Sequence, residues 1–344
     1  DLPPNDNRYY GIRIYAHTGN GSTIAISNLS VGLLEDGGSY IPEATEKQVN
    51  FIDYDGTILH SYTAQEANAL TALPSNPSHT GLTAQGWNWT LQEIKDQLTD
   101  IPDGPVWVGQ MYVTSSGNTE IDIELPEGRI SPYLGIAPNR TVDVDWGDGT
   151  THNTVTGTSY TSEKRTQHNY AAAGKYTIII SVTSGNFAFY GATNGTGLLN
   201  KNNTSTEAIN WVYKDCVRAV RIGNNARLGD RGLSYLTSCM QVTIPSSITI
   251  ISHSSLFALF SIESLTIPAG VTRLYGYAMC GLQSVKNVSI PKSVTRIDEY
   301  AFNNCYSLHS LTIPSGVNSI GTYTFNNMRD RDRKSGSAGM PRPI

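Results

Sequence analysis

Four Ile-Pro pairs, Ile244-Pro245, Ile267-Pro268, Ile290-Pro291 and Ile313-Pro314, recur every 23 residues in the last third of the chain, and nothing else constrains the fold as much. Apolar positions recur in phase with them. Their columns are Cys239/Ile262/Val285/Leu308, Val242/Leu265/Val288/Leu311, Ile248/Val271/Val294/Val317, Ile251/Leu274/Ile297/Ile320 and Leu256/Met279/Phe302/Phe325. A unit this short cannot bury its own apolar face, so it must stack on its neighbours; the period predicts a solenoid, whose extended surface suits binding. Val217, Val220 and Ile222, continued by Leu228, Leu233 and Leu236, mark a degenerate first copy placed as a cap would be. After Phe325 the phase is lost, since the next columns fall on Arg331, Lys334 and Gly336.

With 344 residues the chain exceeds one typical core, and several domains are expected. Charged residues make up only 15%, Tyr reaches 19, and Gly, Ser, Thr and Asn abound, which predicts a mainly β, multidomain protein of extracellular type. A net charge of −5 offers no basic footprint for phosphate backbones, so nucleic acid is excluded as a partner. No run of 18 apolar residues occurs, so no membrane insertion is expected. The start at Asp1-Leu2-Pro3-Pro4 is explained equally by a trimmed signal peptide or by an expression start. Cys216, Cys239, Cys280 and Cys305 lack Cys-x-x-Cys spacing and a neighbouring His, which argues against zinc. Buried free thiols are the simpler expectation; two bridges are the alternative in a secreted protein.

Residues 1–46 hold alternating runs such as Gly11-Ile12-Arg13-Ile14-Tyr15, broken by Gly19-Asn20-Gly21, and read as strands and hairpin turns of no recognised family. From 47 to about 92, two apolar runs join at Asp55-Gly56 and are followed by Leu73-Pro74, Pro77 and Gly86-Trp87. This succession resembles the internalin B repeat, a small β-grasp-like module, assigned here to 47–100. Where that module has its last strand, Thr90 and Glu93 instead form a capping box opening a short helix. Further on, Val142-Asp143-Val144-Asp145-Trp146-Gly147-Asp148-Gly149 is followed by His168-Asn169-Tyr170 and Gly174-Lys175-Tyr176-Thr177. These motifs, over about 115–184, resemble the polycystic-kidney-disease (PKD) domain and imply an immunoglobulin-like sandwich within 101–190. Repeats occupy 191–328, after a Gly-, Asn- and Thr-rich loop, and a polar tail expected to be disordered fills 329–344. The consensus Ser310-Leu311-Thr312-Ile313-Pro314-Ser315-Gly316-Val317, with Ile297-Asp298-Glu299-Tyr300-Ala301-Phe302, resembles the BspA-type leucine-rich repeat of bacterial surface proteins.

Two motifs point toward chemistry and are outweighed by their context. Asp53-Tyr54-Asp55-Gly56-Thr57 spells the nucleophile motif of haloacid-dehalogenase-like phosphatases, but the strand–helix alternation and later carboxylates that chemistry needs are absent, leaving a turn. Asp143, Asp145 and Asp148 lack EF-hand spacing, with Thr154 at the twelfth position, and read as turn-stabilising side chains. The seven histidines, His17, His60, His79, His152, His168, His253 and His309, stand one per element with no paired spacing. No enzyme, metal or cofactor is therefore expected.

Candidate ligand-binding residues lie in the repeats. Strand side chains between core columns should face outward, giving ladders Gln241/Ser264/Asn287/Ser310 and Thr243/Thr266/Ser289/Thr312 at about 4.8 Å per repeat. Uncharged hydroxyls in register suit a protein or a glycan; a plain solvated face of good strand formers is the alternative. A second ladder, Tyr277/Tyr300/Tyr323, offers apolar area with a polar tip, or half-buried packing. The expected function is adhesion or recognition by a secreted or cell-surface bacterial protein binding a host protein or glycan. A phage tail-associated structural or receptor-binding protein, located in the virion, is the alternative, and a targeting accessory to a hydrolase comes third.

Overall fold

The computed structural model of the chain describes residues 48–100, 105–192, 197–199, 210–308 and 311–328. Expectations for 1–46, for the tail 329–344, and for His17, His309 and Ser310 lie outside the described residues.

The first sheet is built from β1 (Gln48–Ile52), β2 (Ile58–Thr63), β3 (Leu82–Trp87) and β4 (Val106–Thr114), in the order β2-β1-β4-β3. β1 and β2 form the hairpin that Asp55-Gly56 predicts, with Gly56 at φ +90°. Two helices accompany the sheet, α1 (Ala64–Ala69) and α2 (Leu91–Asp100). Each starts on a capping box. The hydroxyls of Thr63 and Thr90 accept from the N–H of Glu66 and Glu93 at 3.3 Å, and the carboxylates accept the threonine N–H groups at 2.8 Å. α1 is an addition to the expected elements, although Thr63-Ala64-Gln65-Glu66 carries the same signature. Phe51, Trp87, Trp89, Ile94, Leu98 and Val108 form this unit's core, with the Phe51 ring edge-on to Trp87 at 4.9 Å. The boundary expected at residue 100 falls inside the sheet. β4 belongs to it, pairing in parallel with β1 through Val106–Gly109 and antiparallel with β3 through Gln110–Thr114.

The strands that follow are β5 (Thr119–Leu125), β6 (Tyr133–Pro138), β7 (Thr141–Asp145), β8 (Asn153–Thr156), β9 (Lys164–Gln167), β10 (Gly174–Val182), β11 (Phe187–Phe189), β12 (Val217–Arg221), β13 (Ala226–Leu228) and β14 (Gln241–Thr243). They form a six-stranded sheet, β14-β12-β5-β10-β7-β8, and a four-stranded sheet, β13-β11-β6-β9. Side chains from both share one core around Trp146. Its indole N–H donates to Asn153 Oδ1 at 2.6 Å, its ring stacks on His168 at 5.0 Å, and its carbonyl accepts the Tyr170 hydroxyl at 3.0 Å. The Trp-Gly-Asp-Gly and His-x-Tyr motifs are thus one packed corner. At Gly147, φ +76°, a Cβ would lie 3.0 Å from the Thr177 carbonyl carbon, so only glycine fits.

The repeats add β15 (Ser264–Thr266), β16 (Arg273–Leu274), β17 (Asn287–Ser289), β18 (Arg296–Ile297) and β19 (Ser319–Ile320). Residues one period apart lie side by side in parallel: Leu265 beside Val288, and Arg273 beside Arg296 beside Ser319. All five apolar columns are buried, except that Ile320 is only partly covered. In the degenerate copy Val220 pairs with Val242, a spacing of 22, so it is one residue short between strand and turn. Its β12 also pairs with β5, and the core runs unbroken from Ile121 to Met328. The expected division at residue 190 is therefore no break in packing. The four cysteines are buried free thiols. Burial pushes the Cys280 thiol up to about 11 and Cys239 up to about 12.

Candidate recognition surface

The hydroxyl ladder was expected to face solvent, and it does not. Thr243, Thr266 and Ser289 are 3%, 8% and 0% exposed, because β4 of the first sheet packs across β14, β15 and β17. Ser289 Oγ donates to the Trp107 carbonyl at 2.6 Å, and Gly109 N–H donates to Ser289 Oγ at 3.1 Å. Thr312, partly buried, donates its hydroxyl to the Pro105 carbonyl. The companion ladder is covered unevenly: Ser264 is buried, while Gln241 and Asn287 are half-buried.

Amides of the first unit complete the cover by pairing with backbone at the Ile-Pro corners. Gln85 Oε1 accepts from Ser246 N–H at 2.8 Å, Asn88 Nδ2 donates to the Ile267 carbonyl at 2.8 Å, and Gln97 bonds both Ile313 O and Ser315 N–H. Proline has no N–H, so the ladder is interrupted there, and these side chains satisfy groups that the strands cannot. Sequence gave no sign of this contact, whose partners lie 161 to 218 residues apart.

Among the described residues, no other sheet covers the opposite end of each repeat. There, three N–H groups per copy donate to carbonyls of the next, at four successive junctions: Arg231, Leu233 and Tyr235; Ser254, Leu256 and Ala258; Tyr277, Met279 and Gly281; Tyr300, Phe302 and Asn304. Pointing all three along the array requires left-handed backbone at the first and third positions. Accordingly Arg231, Ser254, Tyr277, Tyr300 and Tyr323 have φ between 54° and 58°, and Tyr235, Ala258, Gly281, Asn304 and Asn327 between 58° and 80°. Gly or Asn suits such positions; tyrosine does so poorly. Three of the five residues in that column are tyrosines all the same.

Their rings stack, Tyr277 on Tyr300 at 4.6 Å and 8°, and Tyr300 on Tyr323 at 5.1 Å and 19°. Stacking hides the inner faces and presents ring edges and hydroxyls at repeat spacing, with Tyr323 51% exposed at one end. Partial burial, the neighbouring Tyr300 and the Glu299 carboxylate raise the Tyr277 hydroxyl above its ordinary pKa. The structure thus assembles the Tyr277/Tyr300/Tyr323 ladder at a partly exposed edge and closes the Thr243/Thr266/Ser289/Thr312 ladder.

Asp53 is 4% exposed and fully engaged. Its carboxylate accepts from Tyr54 N–H at 2.8 Å and the Tyr112 hydroxyl at 2.7 Å, and pairs with His79 Nε2 at 2.7 Å. Asp143 and Asp145 flank His152, while Asp148 caps Thr150 and pairs with His168 at 2.7 Å. Among the described residues no group of three or more His, Cys, Asp or Glu side chains could hold a metal ion, and no helix is long and apolar enough to cross a membrane.

No curated protein matches the chain in sequence. Among solved structures, a leucine rich cell surface protein from Faecalibacterium prausnitzii A2-165 aligns at 27% identity over 32% of this chain, with a TM-score of 0.27. The chain spans only 27% of that protein's length. Residues 210–331, about a third of the chain, match the family model of the BspA type leucine rich repeat region in six copies, so this part of the protein is similar to a run of such repeats.

Proposed function

We propose that this is a non-catalytic recognition protein of the bacterial surface or secreted fraction, which binds a host protein or glycan along the tyrosine edge of a repeat solenoid. The observation that carries this is the stack of Tyr277, Tyr300 and Tyr323, held on left-handed backbone at an edge that is left partly exposed among the described residues. Tyrosine supplies contact area at low entropic cost and is enriched where proteins bind partners. The BspA-type repeats support the surface assignment. The packed Trp146–His168–Tyr170 corner supports a PKD-like reading of the middle segment, and the Asp55-Gly56 hairpin with the buried Trp87 supports an internalin B repeat-like reading of the first.

Glycan and matrix-protein panels should therefore return a ligand for the intact chain. Tyr300→Ser and Tyr323→Ser should weaken its binding while circular dichroism stays unchanged, since Ser254 already occupies that column at φ 54°. Binding undiminished in both variants would place recognition elsewhere in the molecule.

A further inference from the structure

The tyrosine column does not continue through the array. Two periods before Tyr300 it holds Ser254, and one earlier Arg231, so the rung that would cover the outer face of Tyr277 is missing. His253 covers that face only in part, at 5.6 Å and 51°. A cleft of about 250 Å³ results. The rings of Tyr277, Tyr235 and Phe257 wall it, the last two meeting edge to face at 5.1 Å. Polar groups of Ser234, Ser254, His253 and Arg231 complete the lining.

We infer that this cleft is a subsite for one pyranose ring, stacked on Tyr277 in place of the missing tyrosine; this rests on reading the same edge as the recognition face. The volume lies below the roughly 300–1,000 Å³ of drug-sized ligand pockets, which fits one ring rather than several. A pyranose presents a C–H face to an aromatic ring and hydroxyls around its edge to the hydroxyl, imidazole and guanidinium groups of the lining. Ser254 Oγ meets His253 Nδ1 at 3.0 Å and Ser234 Oγ donates to the Arg231 carbonyl at 2.8 Å, so the sugar hydroxyls would use the hydrogen-bonding capacity these groups have left, which an aromatic side chain could not.

Saturation-transfer NMR with methyl β-glucopyranoside, methyl β-galactopyranoside and tyrosinamide tests this on the intact chain. At least one glycoside should receive transfer at its ring protons. That signal should vanish in Ser254→Tyr, which supplies the missing rung on backbone that already accepts tyrosine at φ 55–58°. It should persist in Tyr323→Ser, two repeats away. No transfer to either glycoside, a signal surviving Ser254→Tyr, or stronger transfer to tyrosinamide than to both sugars would overturn the assignment. Loss of macromolecular binding in Tyr323→Ser with the glycoside signal intact, or the reverse, separates this subsite from the wider edge.

Discussion

Replacing Gly109 with alanine should force β4 off the repeats, and the cost follows from the contact. Gly109 is not at positive φ, so the backbone accepts alanine; the obstacle is Thr266, whose Cγ2 and Cβ would lie 2.6 and 2.8 Å from the new methyl. Thr266 is itself 8% exposed and has no room to retreat. Overpacking of this kind costs about 1–3 kcal/mol. As β4 lifts, the hydrogen bond from Gly109 N–H to Ser289 Oγ at 3.1 Å also stretches, at about 1 kcal/mol. A loss of about 2–4 kcal/mol is expected from both terms together. Urea unfolding followed by tryptophan fluorescence would measure it, with Thr266→Gly and the double variant completing a cycle. Thr266→Gly removes the obstructing atoms, so the double variant should recover about 1.5 kcal/mol or more of coupling. A Gly109→Ala effect within about 0.5 kcal/mol of zero, or strict additivity, would refute the close approach.

Phe302, fully buried and stacked on Phe325 at 6.0 Å, should cost about 3–5 kcal/mol when cut to alanine, and thermal melting should show adjacent repeats loosening with it. A cost below about 1 kcal/mol would mean the register is wrong. His152 should titrate above its ordinary range, chiefly through its hydrogen bond to Asp143. Its folded pKa is the raised one, so its stabilising contribution is present below the unfolded value of about 6.5 and is lost as pH rises through the folded value. NMR titration of the ring should show this, with Asp143→Asn returning the midpoint toward normal; an unshifted midpoint in the parent chain counts against it.

Local signals were legible where one short segment carries the whole cause. The 23-residue period placed every apolar column, because a buried column needs only the same residue class once per repeat. Asp55-Gly56 and Thr90/Glu93 set a hairpin and a helix start through contacts within four residues. What failed was the facing of Thr243, Thr266 and Ser289: alternation says which side of a strand a residue takes, but not whether another segment covers that side. Gln85, Asn88 and Gln97 look like ordinary surface amides until their partners in the repeats are known. Even so, stepping back from Tyr277 by the period finds Ser254 and Arg231, so the gap in the tyrosine column was readable before the cleft was seen.

The first sheet touches the array at several copies at once, through Gln85 at Ser246, Asn88 at Ile267, Gly109 at Ser289 and Gln97 at Ser315. An array held only by nearest-neighbour contacts can peel from one end, a repeat at a time. Here a second sheet, β2-β1-β4-β3, is fastened at successive copies. Tension applied along the array would load these attachments in parallel, as shear, so all must yield together before any repeat can unwind.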